Sequence, residues 1–460
     1  MKKTIFILTT FTALMLSGCK NWVDDFTISP NSPVSVTNAL LLTTSEVATF
    51  ALYNGQLDRT GNIMTQQLAG TLFQMEEVGK YNITENDNIN EWKTVYADAL
   101  INMKTLIENA GDANPYYRGI GRVLKCMVIG IATDYWGDIP YSDALNGLEG
   151  PGGWNPVYDT QEQIIAAIQS ELDQAITDLS QLPTANTLLP GTDDYIHGGD
   201  VAAWIKTAYI IKMRYANRES NRDASGSAQN ALDYFNAAGL ADGDDTYAIY
   251  GINGNELNPF NSFNTTRAGY IKMGGFFVDL LTSLNDPRLP LYAAPDPSGN
   301  YTGTPLGTTA DTTSNTGSLL SSDASPIPLA TYSEALFIKA EAHLRLGQAQ
   351  EAADAYNLAV KASILRTTGA PDAAYEAANA SETSGSITLE KIMTQAYIDL
   401  FLQPEAYADQ RRTDIPALTP NPVGLLTGIP KRLPTSIDER VNNSNAIVVS
   451  DLLTPVWWDN

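Results

Sequence analysis

Between Thr160 and Pro183 the apolar residues Ile164, Ile165, Ile168, Leu172, Ala175, Ile176 and Leu179 recur three or four apart. That spacing places them on one face of an α-helix. Thr160 with Gln163 makes a capping box at its start, and Pro183 stops it. The same period predicts helices over 92–108, 117–135, 201–217 and 389–401, and no long apolar/polar alternation signals a sheet. The expected class is therefore all-α. Between the helices lie long Gly/Pro/Asn-rich segments, 146–157, 239–266 and 294–330, the last holding the Thr/Ser/Asp/Gly-rich stretch 308–325. Loops of that length are uncommon in a compact fold unless they serve a function.

One helix pair carries the spacing of a tetratricopeptide repeat. Over 333–363, Ala340, His343, Gly347, Ala352, Tyr356 and Ala359 stand at its characteristic positions. Small side chains at 340, 352 and 359 let two antiparallel helices approach closely, Gly347 turns the chain, and Tyr356 fills the repeat boundary. A generic Ala-rich hairpin would share some of these features. Repeats need neighbours to bury their faces, and the helices within 88–136 and 160–217 are expected to act as degenerate ones.

The first residues set the chain's location. Lys2 and Lys3 precede an apolar run from Ile5 to Leu16, followed by Leu16-Ser17-Gly18-Cys19. A basic start, a short apolar core and small residues before a cut make a secretory signal. The run is too short for a bilayer core of about 30 Å. Leu-small-small-Cys resembles a bacterial lipobox, so residues 1–18 are read as a removed signal peptide, Cys19 as lipidated and 19–35 as a tether. Residues 36–460 are read as a single binding domain. Lys20-Asn21-Trp22-Val23-Asp24-Asp25 has the acidic pair of some surface-export signals. The chain has 52 acidic and 28 basic residues, a net charge of −24; removing two lysines with the signal leaves −24 − 2 = −26. Such a surface repels phosphate backbones and excludes nucleic acid as a partner.

Catalytic signatures are missing. With Cys19 given to lipid, Cys126 stands alone among Val123, Leu124, Met127 and Ile129, and is read as a buried, inert thiol. The two histidines are His343, at a repeat core position, and His197, in a loop. No nucleophile elbow, zinc-protease helix, phosphate loop or dinucleotide fingerprint occurs. Asp242-Gly243-Asp244-Asp245 lacks calcium-loop spacing and reads as a solvated turn. No cofactor or metal is expected, although a glycosidase carboxylate pair is not excluded among so many acids.

Ordered motifs spread along the chain resemble the SusD/RagB family of outer-membrane nutrient-binding lipoproteins. They begin with Ser29-Pro30-Asn31-Ser32-Pro33 and Thr133-Asp134-Tyr135-Trp136-Gly137-Asp138-Ile139-Pro140-Tyr141. Gly199-Asp200 with Trp204 and Arg214 follows, then Asn285-Asp286-Pro287-Arg288-Leu289. Glu334 to Ala342, Gln395 with Leu400-Phe401, Glu405 to Thr413, and Ile429 to Pro434 complete the series. Two positions depart from the pattern: Asp414 stands where Gly is usual, and Thr435-Ser436 replaces Tyr-Pro. The motifs themselves read as scaffold. Gly137 permits a chain reversal and Pro140 extends Ile139. Arg411, Arg412 and Arg432 are expected to pair with acids or helix-end carbonyls, and Trp92, Trp136 and Trp204 to pack in the core.

The resemblance implies a SusD-like fold and a lid over a SusC-like TonB-dependent transporter, anchored in the outer membrane by lipid and facing the exterior. Its ligand would be an oligosaccharide or, with the same architecture, a peptide. A surface glycoside hydrolase and a repeat scaffold are the readings from other classes. Sugars offer C–H faces to aromatic rings and hydroxyls to polar side chains, so loop aromatics beside polar residues are the candidate contacts. These are Trp154 between Gly153 and Asn155, Phe73 and Tyr81 flanking Gln74-Met75-Glu76-Glu77, and Tyr301 beside Asn300. Burial under a neighbouring loop is the alternative for each.

Overall fold

The computed structural model describes residues 36–309 and 312–460. The described residues begin with α1 (Asn38–Tyr53) and α2 (Gln56–Met64), then β1 (Leu68–Gly70) and α3 (Phe73–Gly79). The helix expected over 92–108 is not regular. Ile89–Lys93 runs into a π-helical stretch, Thr94–Leu100, before α4 (Ile101–Ala110). α5 (Pro115–Trp136) follows. Gly137 ends it at φ 78°, and β2 (Ile139–Pro140) pairs antiparallel with β3 (Tyr158–Asp159). Next come α6 (Gln161–Leu179), α7 (Val201–Arg218) and α8 (Ala224–Ala238). The capping box on α6 is formed in both directions, and its apolar face is buried apart from the half-buried Ile176.

The segment 239–266 is a correction to the expected loop. It contains β4 (Thr246–Ala248) and α9 (Pro259–Thr266), whose start Asn258 caps by accepting from the N–H groups of Phe260 and Asn261. β5 (Ile271–Met273) pairs antiparallel with β1, and β6 (Ile327–Ala330) with β4. The remaining long helices are α10 (Tyr332–Arg345), α11 (Ala349–Thr368), α12 (Leu389–Asp399) and α13 (Glu405–Thr413). α4 packs on α5, α5 on α6, α6 on α7, α7 on α8, α8 on α10 and α10 on α11. Each helix thus buries its apolar face on its neighbours, as in a repeat protein.

In the α10–α11 pair Ala340, Ala352, Tyr356 and Ala359 are buried, and Gly347 turns the chain at φ 74°. His343 departs from its expected core position. It is half-buried in the last turn of α10, with Nδ1 2.6 Å from Gln348 Oε1 across the turn.

A buried junction of charges ties α5, α7, α10 and α13 together. Arg214 donates to both carboxylate oxygens of Glu334, at 2.7 and 2.8 Å, and lies 3.2 Å from Glu405. Arg218 contacts Asp134, Glu405 and Asp409. Arg412 grips Glu341 at 2.5 and 2.8 Å and reaches Asp409, while Arg345 pairs with Glu341 as well. Asp134 also accepts from Trp458 Nε1 at 2.9 Å. Arg411 stacks on Tyr407 and Trp458 and donates to the carbonyls of Asp134 and Lys431. Arg432 donates to the carbonyl of Trp136 at the end of α5. These motif arginines are scaffold, as their placement beside acids and helix ends requires. Desolvating so many charges is tolerable only because each finds a partner.

The other motifs have similar explanations. Asp286 accepts from Arg288 Nε at 2.9 Å and Nη2 at 2.6 Å, and Arg288 also reaches Ser363 and Gln395, joining α11 to α12. Asp414 keeps a left-handed φ of 56°, a conformation Asp tolerates better than most residues. Trp92, Trp136 and Trp204 are all buried, and so is Cys126, whose thiol burial pushes well above its ordinary pKa. Among the described residues no helix is long and apolar enough to cross a membrane.

Candidate functional site

The β1–β5 ribbon pairs Leu68 with Met273, Ala69 with Lys272 and Gly70 with Ile271. It extends one step further, because Thr71 N donates to Tyr270 O at 2.9 Å and Thr71 Oγ1 donates to Gly269 O at 2.5 Å. Gly70 is required there: a Cβ would sit 1.7 Å from Met75 O, so only glycine lets α3 fold back over the ribbon. Strain collects in the same place. Gln66, Phe73 and Tyr81 all take positive φ, at 61°, 49° and 63°. Non-glycine residues in that region cost of order 1 kcal/mol each, and they concentrate where function over-determines the backbone.

This geometry throws the Phe73 ring outward, 66% exposed. It stacks on Tyr270 with centroids 5.0 Å apart and planes at 30°. Tyr270 in turn meets Phe263 edge-on at 6.0 Å. Beside this platform runs a groove of about 740 Å³ lined by Asn261, Asn264, Thr265, Gly269, Asn315 and Thr316 among others. Its amides are oriented: Asn261 donates to Asp323 at 2.8 Å and Asn264 to Thr316 at 3.1 Å. An exposed stacked ring beside amides and hydroxyls can pack a sugar's C–H face and pair its hydroxyls.

The sequence-selected aromatics separate. Tyr81 corrects the expectation of an exposed ring. It is buried, its hydroxyl accepts the Asn421 N–H at 2.9 Å, and the 421–425 segment covers it through Leu425 N to Lys80 O. It lines a small cavity of about 50 Å³ under the ribbon with Gly79, Gly274 and Thr304. Tyr301 is half-buried and packed against the core, on the segment whose Thr304 bonds Met273. Trp154 is 60% exposed, with Nε1 donating to Gly147 O at 3.1 Å. Its loop belongs to another part of the surface, tied by Asn155 to Ser444 and Asn445. Cys19 lies outside the described residues.

Tyr270, Phe263, Arg59 and Arg267 were not singled out from the sequence. For Phe263, Arg267 and Tyr270 the signal was the cluster Phe263-Asn264-Thr265-Thr266-Arg267-Ala268-Gly269-Tyr270 at the edge of a long segment, and Arg59 carried none. The remaining candidates for chemistry are occupied structurally. His197 Nε2 lies 2.9 Å from Thr207 Oγ1, its ring sits edge-on to Trp204, and burial lowers its pKa. Asp244 pairs with Lys206, and Asp245 accepts the Tyr332 N–H. Among the described residues no group of three His, Cys, Asp or Glu side chains could hold a metal ion.

No curated protein matches the chain. Solved structures do. A chitin-binding protein shares 26% identity at a TM-score of 0.78, covering 92% of this chain and 100% of that one. A chitin-binding SusD homolog from Flavobacterium johnsoniae superposes at 0.76 with 20% identity, covering 92% and 97%. A SusD/RagB family protein from Bacteroides thetaiotaomicron superposes at 0.72 with 23% identity, covering 92% and 99%. The family model described as starch-binding, associating with the outer membrane, matches residues 30–434. With that match over most of its length, the chain belongs to the SusD-like family.

Proposed function

We propose that this protein binds oligosaccharides at the outer-membrane surface and hands them to a SusC-like TonB-dependent transporter. The observation that carries the reading is the exposed Phe73 stacked on Tyr270 beside an amide- and hydroxyl-lined groove. The family's description and a 26% identical chitin-binding structure support it. Phe73 is the primary ligand contact, with Trp154 a second exposed ring and Tyr301 and Tyr81 backing the ribbon. Cys19 carries the lipid that holds the protein to the membrane. The protein captures its ligand and leaves it chemically intact.

Calorimetry on the purified full chain in detergent, against chito-, malto- and acidic oligosaccharides, tests this. Phe73→Ala and Trp154→Ala should each weaken binding by about 1–3 kcal/mol, as loss of an aromatic anchor does, with thermal midpoints unchanged. Full affinity in both variants removes these rings from the site. Binding to no glycan defeats the reading.

A further inference from the structure

Two arginines lie over the Phe263 ring of the aromatic platform with no ion pair to a carboxylate among the described residues. Arg59, from α2, is 8% exposed and lies with Cζ 4.3 Å from the Phe263 ring centroid. Arg267, just past α9, is exposed and lies 5.0 Å from the same centroid. Arg59 Nε is buried with no hydrogen-bond partner, and among the described residues neither arginine forms an ion pair. Arg267 makes only a long contact to Thr266 Oγ1, at 3.4 Å. The arrangement is not explained by scarcity of acids, since they outnumber bases 52 to 28.

Asp58 and Glu91 act on Arg59 electrostatically, but neither forms an ion pair with it. Asp58 is fully buried, its Oδ1 bonded to Asn62, and burial pushes its carboxyl up to about 8 despite the Arg59 charge. Burial likewise raises Glu91, whose Oε2 has no partner. Glu76, on α3, is already held by Lys80 at 2.6 Å. Arg59 itself, lowered by burial only to about 10, remains charged at neutral pH. A desolvated guanidinium over a ring, with open donors, is suited to a bidentate bond to an incoming anion. The stacked Phe73–Tyr270 face alongside suits a pyranose ring.

We propose that the platform takes an acidic glycan, whose carboxylate or sulfate group is bound by Arg59 and Arg267 while a sugar ring packs on Phe73. This rests on the glycan-binding reading above and names its ligand class. The experiment measures binding of the full chain to tetragalacturonate, its methyl ester, a sulfated tetrasaccharide, its unsulfated form, chitotetraose and an acidic peptide. At least one acidic ligand should bind about tenfold or more tighter than its uncharged counterpart, the scale of a charge-assisted bidentate bond. The carboxylate and sulfate arms show which anion is taken. Arg59→Gln and Arg267→Gln should each remove most of that preference and leave uncharged ligands unaffected. Because Arg267 is exposed, its variant decides the matter even if Arg59→Gln does not fold. Equal or tighter binding of the uncharged counterparts, a preference that survives both substitutions, or binding of an acidic peptide alone overturns the proposal. Neutral binding alone leaves the broader glycan reading standing, whereas binding of no glycan removes both.

Discussion

Arginine is held in two opposite ways in this molecule. At the helix junction Arg214, Arg218 and Arg412 are buried against Glu334, Glu405, Asp134, Asp409 and Glu341, and each guanidinium meets at least two acids. Around Phe263, Arg59 and Arg267 meet a ring. The first arrangement consumes its charge internally and fixes four helices. The second leaves charge unspent at a strained, aromatic surface. In a chain so rich in acid, where a cation lacks a carboxylate is more informative than where it has one.

Breaking the junction should give the largest effect. Arg214→Met strands Glu334 in the core and leaves Glu405 to Arg218 alone, and removing one partner of a buried pair costs about 3–5 kcal/mol. Denaturant unfolding should register that loss; an unchanged midpoint would mean the junction is solvated.

Buried acids without an ion pair provide the intermediate case. Burial together with the Asp194 charge pushes Glu46 up to about 10, and burial pushes Asp58 up to about 8. The folded state keeps protons that the unfolded chain releases near 4.5 and 3.8. Stability from these groups is therefore lost as pH rises toward their folded values. Thermal unfolding between pH 6 and pH 8 should show a decline of about 2–3 kcal/mol per pH unit, and Glu46→Gln should roughly halve it. Glu341 behaves in the opposite sense. Burial opposes its charge, but Arg412 and Arg345 hold it down at about 2. Its contribution is present above pH 4.5 and disappears as pH falls toward 2.

The smallest effect should come from Arg59. Arg59→Gln breaks no ion pair but loses its contacts to the Phe260 and Phe263 rings, so unfolding should shift by about 1–2 kcal/mol. A loss as large as that of Arg214→Met would make the ring-bound arginine part of the scaffold and erase the distinction.

Much of the scaffold was legible because helical period and capping are local. Thr160, Gln163 and the isoleucines of α6 announce their helix within twenty residues. The motif arginines were readable as structural because acids and helix-end carbonyls offer them partners. The π-helical stretch at 94–100 was not, since an extra residue per turn leaves the apolar pattern nearly intact. The 239–266 segment was misread as wholly irregular, although Asn258-Pro259 is a helix start in itself. Exposure of Trp154 followed from its loop setting, whereas Phe73, expected in a loop, is exposed as the first residue of α3. Burial of Tyr81 did not, because its cover comes from residues 421–425, some 340 positions away. The Arg59–Phe263–Tyr270–Phe73 cluster was illegible for the same reason. It exists only through the register that sets Gly70 against Ile271.

The junction also dictates an order of events. Trp458 bonds to Asp134 across a separation of 324 residues, and Arg411 reaches the same helix end across 277. Closing loops of that length is slow, and contacts so distant in sequence are made late. While the chain emerges from its N-terminus, Asp134, Arg214 and Arg218 must wait in water without Glu405, Arg412 or Trp458. A polypeptide whose central charges stay hydrated until its last segment arrives remains threadable for most of its synthesis.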